Sequence, residues 1–306
     1  MKKLLAIIFA LFIAMPMYAK EKSSPNVVLV GIELMRVSEI ELAKSTYVMD
    51  VHLSFKCKGV CPKFSIELEN GYILSKESES ENPSLKVYRI RAHLHENFYA
   101  VNYPFETYFL KFIFKDRMLD QRKLVFVADP HQTTVNPLFI LQGWKSNLHP
   151  SSKVETVYNP LINKHFSVYL FSIDLSRPVL MGLLKFMFPA IIIIFFAFVS
   201  FFIKPKKSFE RFGIVSGALL GSVLFHLNMT ASLPPLGYLT YIDMVMIINY
   251  VTLLAILFED VYLMRLVDNG EPDKLEVARK IDSWCIFTII FGWLIVQIVN
   301  AIYFFH

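Results

Sequence analysis

Hydrophobic and polar positions divide this chain into three stretches with different rhythms. Residues 1–19 read basic, then apolar, then small: Met1-Lys2-Lys3, an uncharged run to Pro16, and Met17-Tyr18-Ala19 ahead of Lys20-Glu21-Lys22. That order predicts a secretory signal cleaved after Ala19, and the run falls short of the roughly 20 residues that a membrane span needs. Residues 24–178 are short runs rich in Val, Ile, Tyr and Phe, interrupted by turn residues. The runs 27–34, 47–55, 85–94, 107–114, 124–127 and 166–175 predict strands. In 47–55 the alternation places Tyr47, Met49, Val51, Leu53 and Phe55 on one face and Asp50, His52 and Ser54 on the other. Asn82-Pro83, Asp129-Pro130, Asn136-Pro137, His149-Pro150 and Asn159-Pro160 punctuate the rest. Many short strands with regular breaks predict an antiparallel β-sandwich, and about 150 residues suffice for one core.

From residue 179 the rhythm changes to long apolar segments. Helices are predicted at about 179–203, 212–233, 242–264 and 283–305, each long enough to cross a hydrocarbon layer of about 30 Å. The expected architecture is thus a signal peptide (1–19), an all-β sandwich outside the membrane (24–178) and a four-helix transmembrane bundle (179–306). The connection Lys204-Pro205-Lys206-Lys207-Ser208-Phe209-Glu210-Arg211 is basic, as is 265–280 with Arg265, Lys274, Arg279 and Lys280; 232–241 holds no base. The positive-inside rule puts the first two in the cytoplasm. The β domain and the C-terminus are then extracytoplasmic, in a multi-pass protein of the bacterial inner membrane.

Composition narrows the function classes. The chain is 55 % hydrophobic and 19 % charged, with mean hydropathy +0.46 and formal charge +5. The positive charge is not gathered into runs, so nucleic acid is not an expected partner. No Gly-rich phosphate loop, Gly-x-Ser-x-Gly or His-Glu-x-x-His is present, so no enzyme is expected, and no cofactor or metal. The connection of about 18 residues after the third span is too short to fold as an output domain.

Four segments, in order and at the right ends of the spans, resemble a known family. They are Asn102-Tyr103-Pro104-Phe105-Glu106-Thr107, Ser176-Arg177-Pro178 before the first span, a proline (Pro189) inside that span, and Ser232-Leu233-Pro234-Pro235-Leu236-Gly237-Tyr238-Leu239-Thr240-Tyr241 between spans two and three. Gly143-Trp144 adds weaker support. The chain resembles prokaryotic pentameric ligand-gated ion channels, of the Cys-loop receptor superfamily, over residues 27–306. The resemblance implies a homopentamer in the lipid bilayer, with the second helix of each subunit lining a pore for monovalent cations.

It also implies roles for particular residues. Glu210, beside Arg211, would form a carboxylate ring at the inner mouth, which attracts cations; otherwise it pairs with Arg211 or Lys207 in a solvated loop. Aligned on Leu233-Pro234, the pore face is Gly213, Gly217, Leu220, Leu224, Leu227 and Ala231, and leucine rings can close a pore by dewetting. Plain amphipathicity points the other way, to Val215, Leu219, Ser222, His226 and Thr230; the alignment takes precedence because its anchor is near. Coupling of the β domain to the pore would use Glu41, Pro104, Phe105, Glu106, Arg177, Leu233, Pro234 and Tyr238, with Glu41 and Glu106 sharing the Arg177 guanidinium.

The family's aromatic ligand box has no counterpart. Residues 1–143 hold no Trp, Cys57 stands where a strand Trp is usual, and 57–94 is shortened. The ligand is then an unknown small molecule or protons. Cys57 and Cys61 are spaced for a tight disulfide in an exported domain, and the family's own bridge, at Glu96 and Leu110, is absent. His226, an ionisable group inside a span, is either a pH sensor or a neutral side chain bonded to a neighbouring helix. Two function classes therefore stand: a gated cation channel, and a non-conducting membrane-anchored binding or scaffold protein of the same fold.

Overall fold

A computed structural model of the chain describes residues 25–146, 149–267 and 272–305. The expected signal segment, 1–19, lies outside the described residues. Strand β1 (Asn26–Glu41) pairs antiparallel with β2 (Thr46–Cys57). Beyond β2 come β5 (Leu85–His95) and, at the edge, β4 (Gly71–Asn82). On its other side β1 takes β7 (Leu124–Ala128) and β8 (Thr134–Val135), both in parallel. The second sheet runs β10 (Ser151–Asn159), β11 (Lys164–Ser176), β6 (Thr107–Asp116), β3 (Ile66–Leu68), with β9 (Lys145–Ser146) on β11.

Alternation explains how the two sheets close on one core. Tyr47, Met49, Val51, Leu53 and Phe55 of β2 are all fully buried, while Asp50, His52 and Ser54 point out. From the other sheet Leu110, Phe112 and Phe114 meet Phe171, Ile173 and Leu175. Phe55 lies at the centre, stacked on Phe64 at 4.4 Å and edge-on to Phe114 at 6.0 Å. Each such side chain contributes about 1.5–3 kcal/mol by leaving water. The Tyr47 hydroxyl, buried among them, donates to the Lys111 carbonyl at 2.7 Å, and burial pushes its phenol up.

Strands β4 and β10 have no expectation from the apolar pattern. The β4 sequence Gly-Tyr-Ile-Leu-Ser-Lys-Glu-Ser-Glu-Ser-Glu-Asn is mostly polar, and β10 is largely exposed. Both are sheet edges, where no second face demands an apolar stripe and polar residues discourage pairing with other chains.

Four helices follow, each long and apolar enough to cross a membrane. Helix α1 (Val179–Phe202) opens with an α-helical turn, Val179–Gly182, and then widens into a π-helical turn over Leu183–Met187. That turn sits just ahead of Pro189, which has no N–H for the carbonyl one turn back, and widening relieves the ring's clash with it. Helix α2 is Ser208–Thr230, α3 is Tyr241–Val267 and α4 is Pro272–Phe305. Helix α4 corrects the expected boundary at 283. Its first turns are charged, with Glu276 and Lys280 paired at 2.9 Å and only Ala278 and Asp282 buried, so an apolar-run criterion misses them. Helix α2 likewise begins four residues before the expected 212, because Ser208 and Arg211 are buried despite being polar.

Candidate functional site

The β domain meets the helices through the turn that precedes β6 and through β11, which runs into α1 by Arg177-Pro178. The turn contains a cis Tyr103-Pro104 bond and sinks Tyr103 among the helices. Phe105 packs against Tyr241 and Phe305. Gly182 of α1 is required here: a Cβ on it would lie 2.8 Å from the Phe105 ring. The loop between α2 and α3 is tied to the same turn. The Ala100 N–H donates to the Tyr238 hydroxyl at 2.9 Å, and the Tyr241 N–H donates to the Val101 carbonyl at 2.8 Å. Leu233 is buried below, and Pro234, Pro235 and Tyr238 border a cleft of about 520 Å³ facing Ala43, Lys44 and Ser45 of the β1–β2 turn.

Among the described residues one ion pair crosses this junction. Arg177 Nε donates to Glu106 Oε1 at 3.0 Å, and Glu106 is only 4 % exposed. The guanidinium also lies over Trp144 at 4.6 Å, Tyr103 at 5.4 Å and Phe186 at 5.6 Å. Glu106 Oε2 and the Tyr108 hydroxyl are both buried without a partner in hydrogen-bonding geometry. Burial first, and then the Glu106 charge, push the Tyr108 phenol far up. Burial also raises Tyr103, against the opposing effect of Arg177. A carboxylate held this way resists separation from its one cation. Glu41 is not part of the group, which corrects the expected three-way contact. Its carboxylate turns out to solvent and pairs with Lys44 at 2.6 Å, since it ends β1 one residue before a tight turn.

Helix α2 has two distinct faces. Arg211, Val215, Ala218, Ser222 and Met229 are buried, and Glu210, Gly213, Gly217, Leu220, Leu224 and Leu227 are exposed. Leu220, Leu224 and Leu227 are 60–63 % exposed while Ser222 is fully buried, the reverse of what amphipathicity asks. Glu210 bonds Lys207 at 2.9 Å and stays more than half exposed. Arg211, by contrast, has no exposed surface. Nη1 donates to Asp282 Oδ1 at 2.8 Å and Nη2 to Glu259 Oε2 at 3.1 Å, while Nε faces Asp260 Oδ1 at 2.9 Å. It also lies over the Phe201 ring at 5.3 Å, so all four helices meet at this side chain.

Nearer the β domain, His226 is held from both sides. Nε2 lies 2.8 Å from Asp243 Oδ1 and Nδ1 lies 2.9 Å from the Tyr250 hydroxyl. Asp243 Oδ2 accepts from both the N–H and the hydroxyl of Thr240, in the α2–α3 loop. His226 therefore joins the second helix to the third and, through Asp243, to the loop that touches the β domain. Its partners are a carboxylate and a phenol.

Sequence reasoning missed four participants: Trp144 as a partner of Arg177, and Glu259, Asp260 and Asp282 as partners of Arg211. A signal existed for two of them. Glu259-Asp260 interrupts an apolar segment, and carboxylates inside a span face other groups. Asp282, just outside the apolar run, carried none. Elsewhere, Cys57 and Cys61 form a disulfide at the end of β2. Among the described residues no three His, Cys, Asp or Glu side chains are grouped to hold a metal ion. No family model matches the chain, and no curated protein matches it.

Proposed function

We propose that the chain is a subunit of a homopentameric cation channel of the Cys-loop receptor superfamily, opened from the side of its β domain. The observation that carries this reading is the free face of α2. A helix packed by its small and polar residues leaves three leucines exposed on one side, together with a glutamate that is more than half exposed and bonded to the similarly exposed Lys207. Five copies arranged around an axis would bring those faces together. Five Glu210 carboxylates would then concentrate cations at one mouth, and the leucine rings would form a constriction that dewets when narrow.

Gating follows from the junction. A ligand that favours one arrangement of the β domain biases the helices only through groups that cross the boundary. Here those are the Glu106–Arg177 pair, the Phe105 wedge at Gly182 and the Tyr238 and Tyr241 bonds to the turn. The ligand is an unknown small molecule or protons, and an amine-type aromatic box is not part of the reading. The basic Lys204, Lys206 and Lys207 connection supports an inner-membrane orientation with the β domain outside.

The test starts with mass in detergent, where a pentamer is expected and a monomer overturns the pore. Planar bilayers are then expected to show cation-selective openings across a panel of pH values and small ligands. Silence across the panel from a pentameric preparation would favour a non-conducting scaffold instead.

A further inference from the structure

The hydrophobic ranking of residues cannot have chosen which face of α2 is buried, because it buries Ser222 and leaves Leu220, Leu224 and Leu227 out. Something else sets the rotation of this helix. We propose that Arg211 is a positioning residue whose buried guanidinium fixes the rotation of α2, and so presents Glu210 on the free face.

The geometry supports this in three steps. A guanidinium is a rigid planar fork, so three separate partners fix its orientation as well as its place. Here the three nitrogens each face a different carboxylate, two from α3 and one from α4. Next, neighbouring residues on a helix point about 100° apart. With Arg211 turned fully inward, Glu210 must face outward, and it does. Gly213, Gly217, Leu220, Leu224 and Leu227 then follow on the same side. Last, the buried stripe beside Arg211 is small: Val215, Ala218 and Ser222. The buried Ser222 hydroxyl has no hydrogen-bond partner, so this stripe supplies no polar anchor of its own. His226, bonded to Asp243 and Tyr250, is a second pin on the same side toward the other end. Glu210 and Arg211 are therefore one device: the adjacent pair needs one charge outside and the other locked inside.

The inference rests on the channel reading only for what the free face does, and its test separates the two. The full chain in liposomes, in a Cys285→Ser background that leaves the Cys57–Cys61 disulfide intact, carries a single free cysteine in place of Glu210, Leu224, Val215 or Ala218 and reacts with a charged thiol reagent. Labelling is expected to be fast at 210 and slow at 215 and 218, with 224 reached only when the leucine constriction is wet. Arg211→Met alone leaves three buried carboxylates without a cation and so threatens the fold. The partner variant is R211M/E259Q/D260N/D282N, which removes every charge of the cluster, a change that folds tolerate far better than a broken pair. Arg211→Lys, which keeps the charge and loses the fork, is the conservative control. Loss of even one of the two charged hydrogen bonds that Arg211 donates corresponds to a factor of about ten. The contrast between free and buried positions is therefore expected to fall roughly tenfold in the neutral variant, and less in R211K. An unchanged contrast in either variant overturns the proposal and leaves Arg211 a plain packing element. A collapsed contrast in a chain that passes no current keeps the positioning role and removes the channel. A conducting neutral variant with native cation preference and native labelling removes the positioning role and keeps the channel.

Discussion

Removing Arg177 costs more than removing the charge of its partner, and the structure sets the size of the difference. In Arg177→Gln the Glu106 carboxylate stays buried at 4 % exposure, with its only ion pair gone and Oε2 already unpartnered. Breaking a buried pair from one side costs about 3–5 kcal/mol, and the lower end applies because Arg177 itself keeps some solvent. In Glu106→Gln the amide fills the same space and its oxygen still accepts from Nε. The guanidinium keeps Trp144, Tyr103 and Phe186, each ring contributing about 0.5–1 kcal/mol or more. That variant costs about 1 kcal/mol. The gap of about 2 kcal/mol is a roughly thirtyfold difference in the folding equilibrium constant. The double variant R177Q/E106Q is expected to be more stable than R177Q alone, because no buried charge remains. Denaturant unfolding of the full chain in detergent, followed by tryptophan fluorescence, measures all three, with Trp144 reporting from the guanidinium itself. If E106Q costs as much as R177Q, the junction is not governed by a buried carboxylate and the reasoning fails.

Three further outcomes follow from the structure. Glu106→Gln also removes a negative charge beside Tyr108, so the Tyr108 phenol ionises at lower pH than in the native chain, while burial still holds it above the ordinary range; alkaline ultraviolet titration reads this, and an upward move refutes it. Asp50 is held below the usual carboxylate range, chiefly by hydrogen bonds from Arg89, so its stabilisation is present above about pH 3.9, the unfolded value, and disappears as pH falls through the lower folded value. Asp50→Asn is therefore expected to be less stable than the native chain at pH 7 and level with it in acid, in parallel thermal melts, and a constant gap would contradict the assignment. In the proposed channel, Glu210→Gln is expected to move the reversal potential in a salt gradient toward zero, and an unmoved potential rules out the carboxylate ring.

The strands that faced the core were legible because burial on one side writes a period of two into the residues: β2 reads Tyr47, Met49, Val51, Leu53, Phe55 and buries all five. Edge strands β4 and β10 were not legible, because a strand wet on both sides has no such period to write. In the candidate site, Glu106 and Arg177 came together only through what the family resemblance implies for the segments Tyr103-Pro104-Phe105-Glu106 and Ser176-Arg177-Pro178. Glu41 was misplaced, because local sequence shows a turn without showing which way its side chain leaves.

By itself the sequence determined two things about this protein: an alternating region that makes two sheets, and four apolar lengths that make helices able to span a membrane. Both are local properties, set by periodicity and by residue count along the chain. Only the tertiary structure decided which face of α2 is hidden. That choice depends on Glu259, Asp260 and Asp282, some 50 to 70 residues further on, converging on Arg211. The pattern of α2 points its more polar side outward and folding turns that side in, so the helix does not record its own rotation; partners brought together by folding supply it.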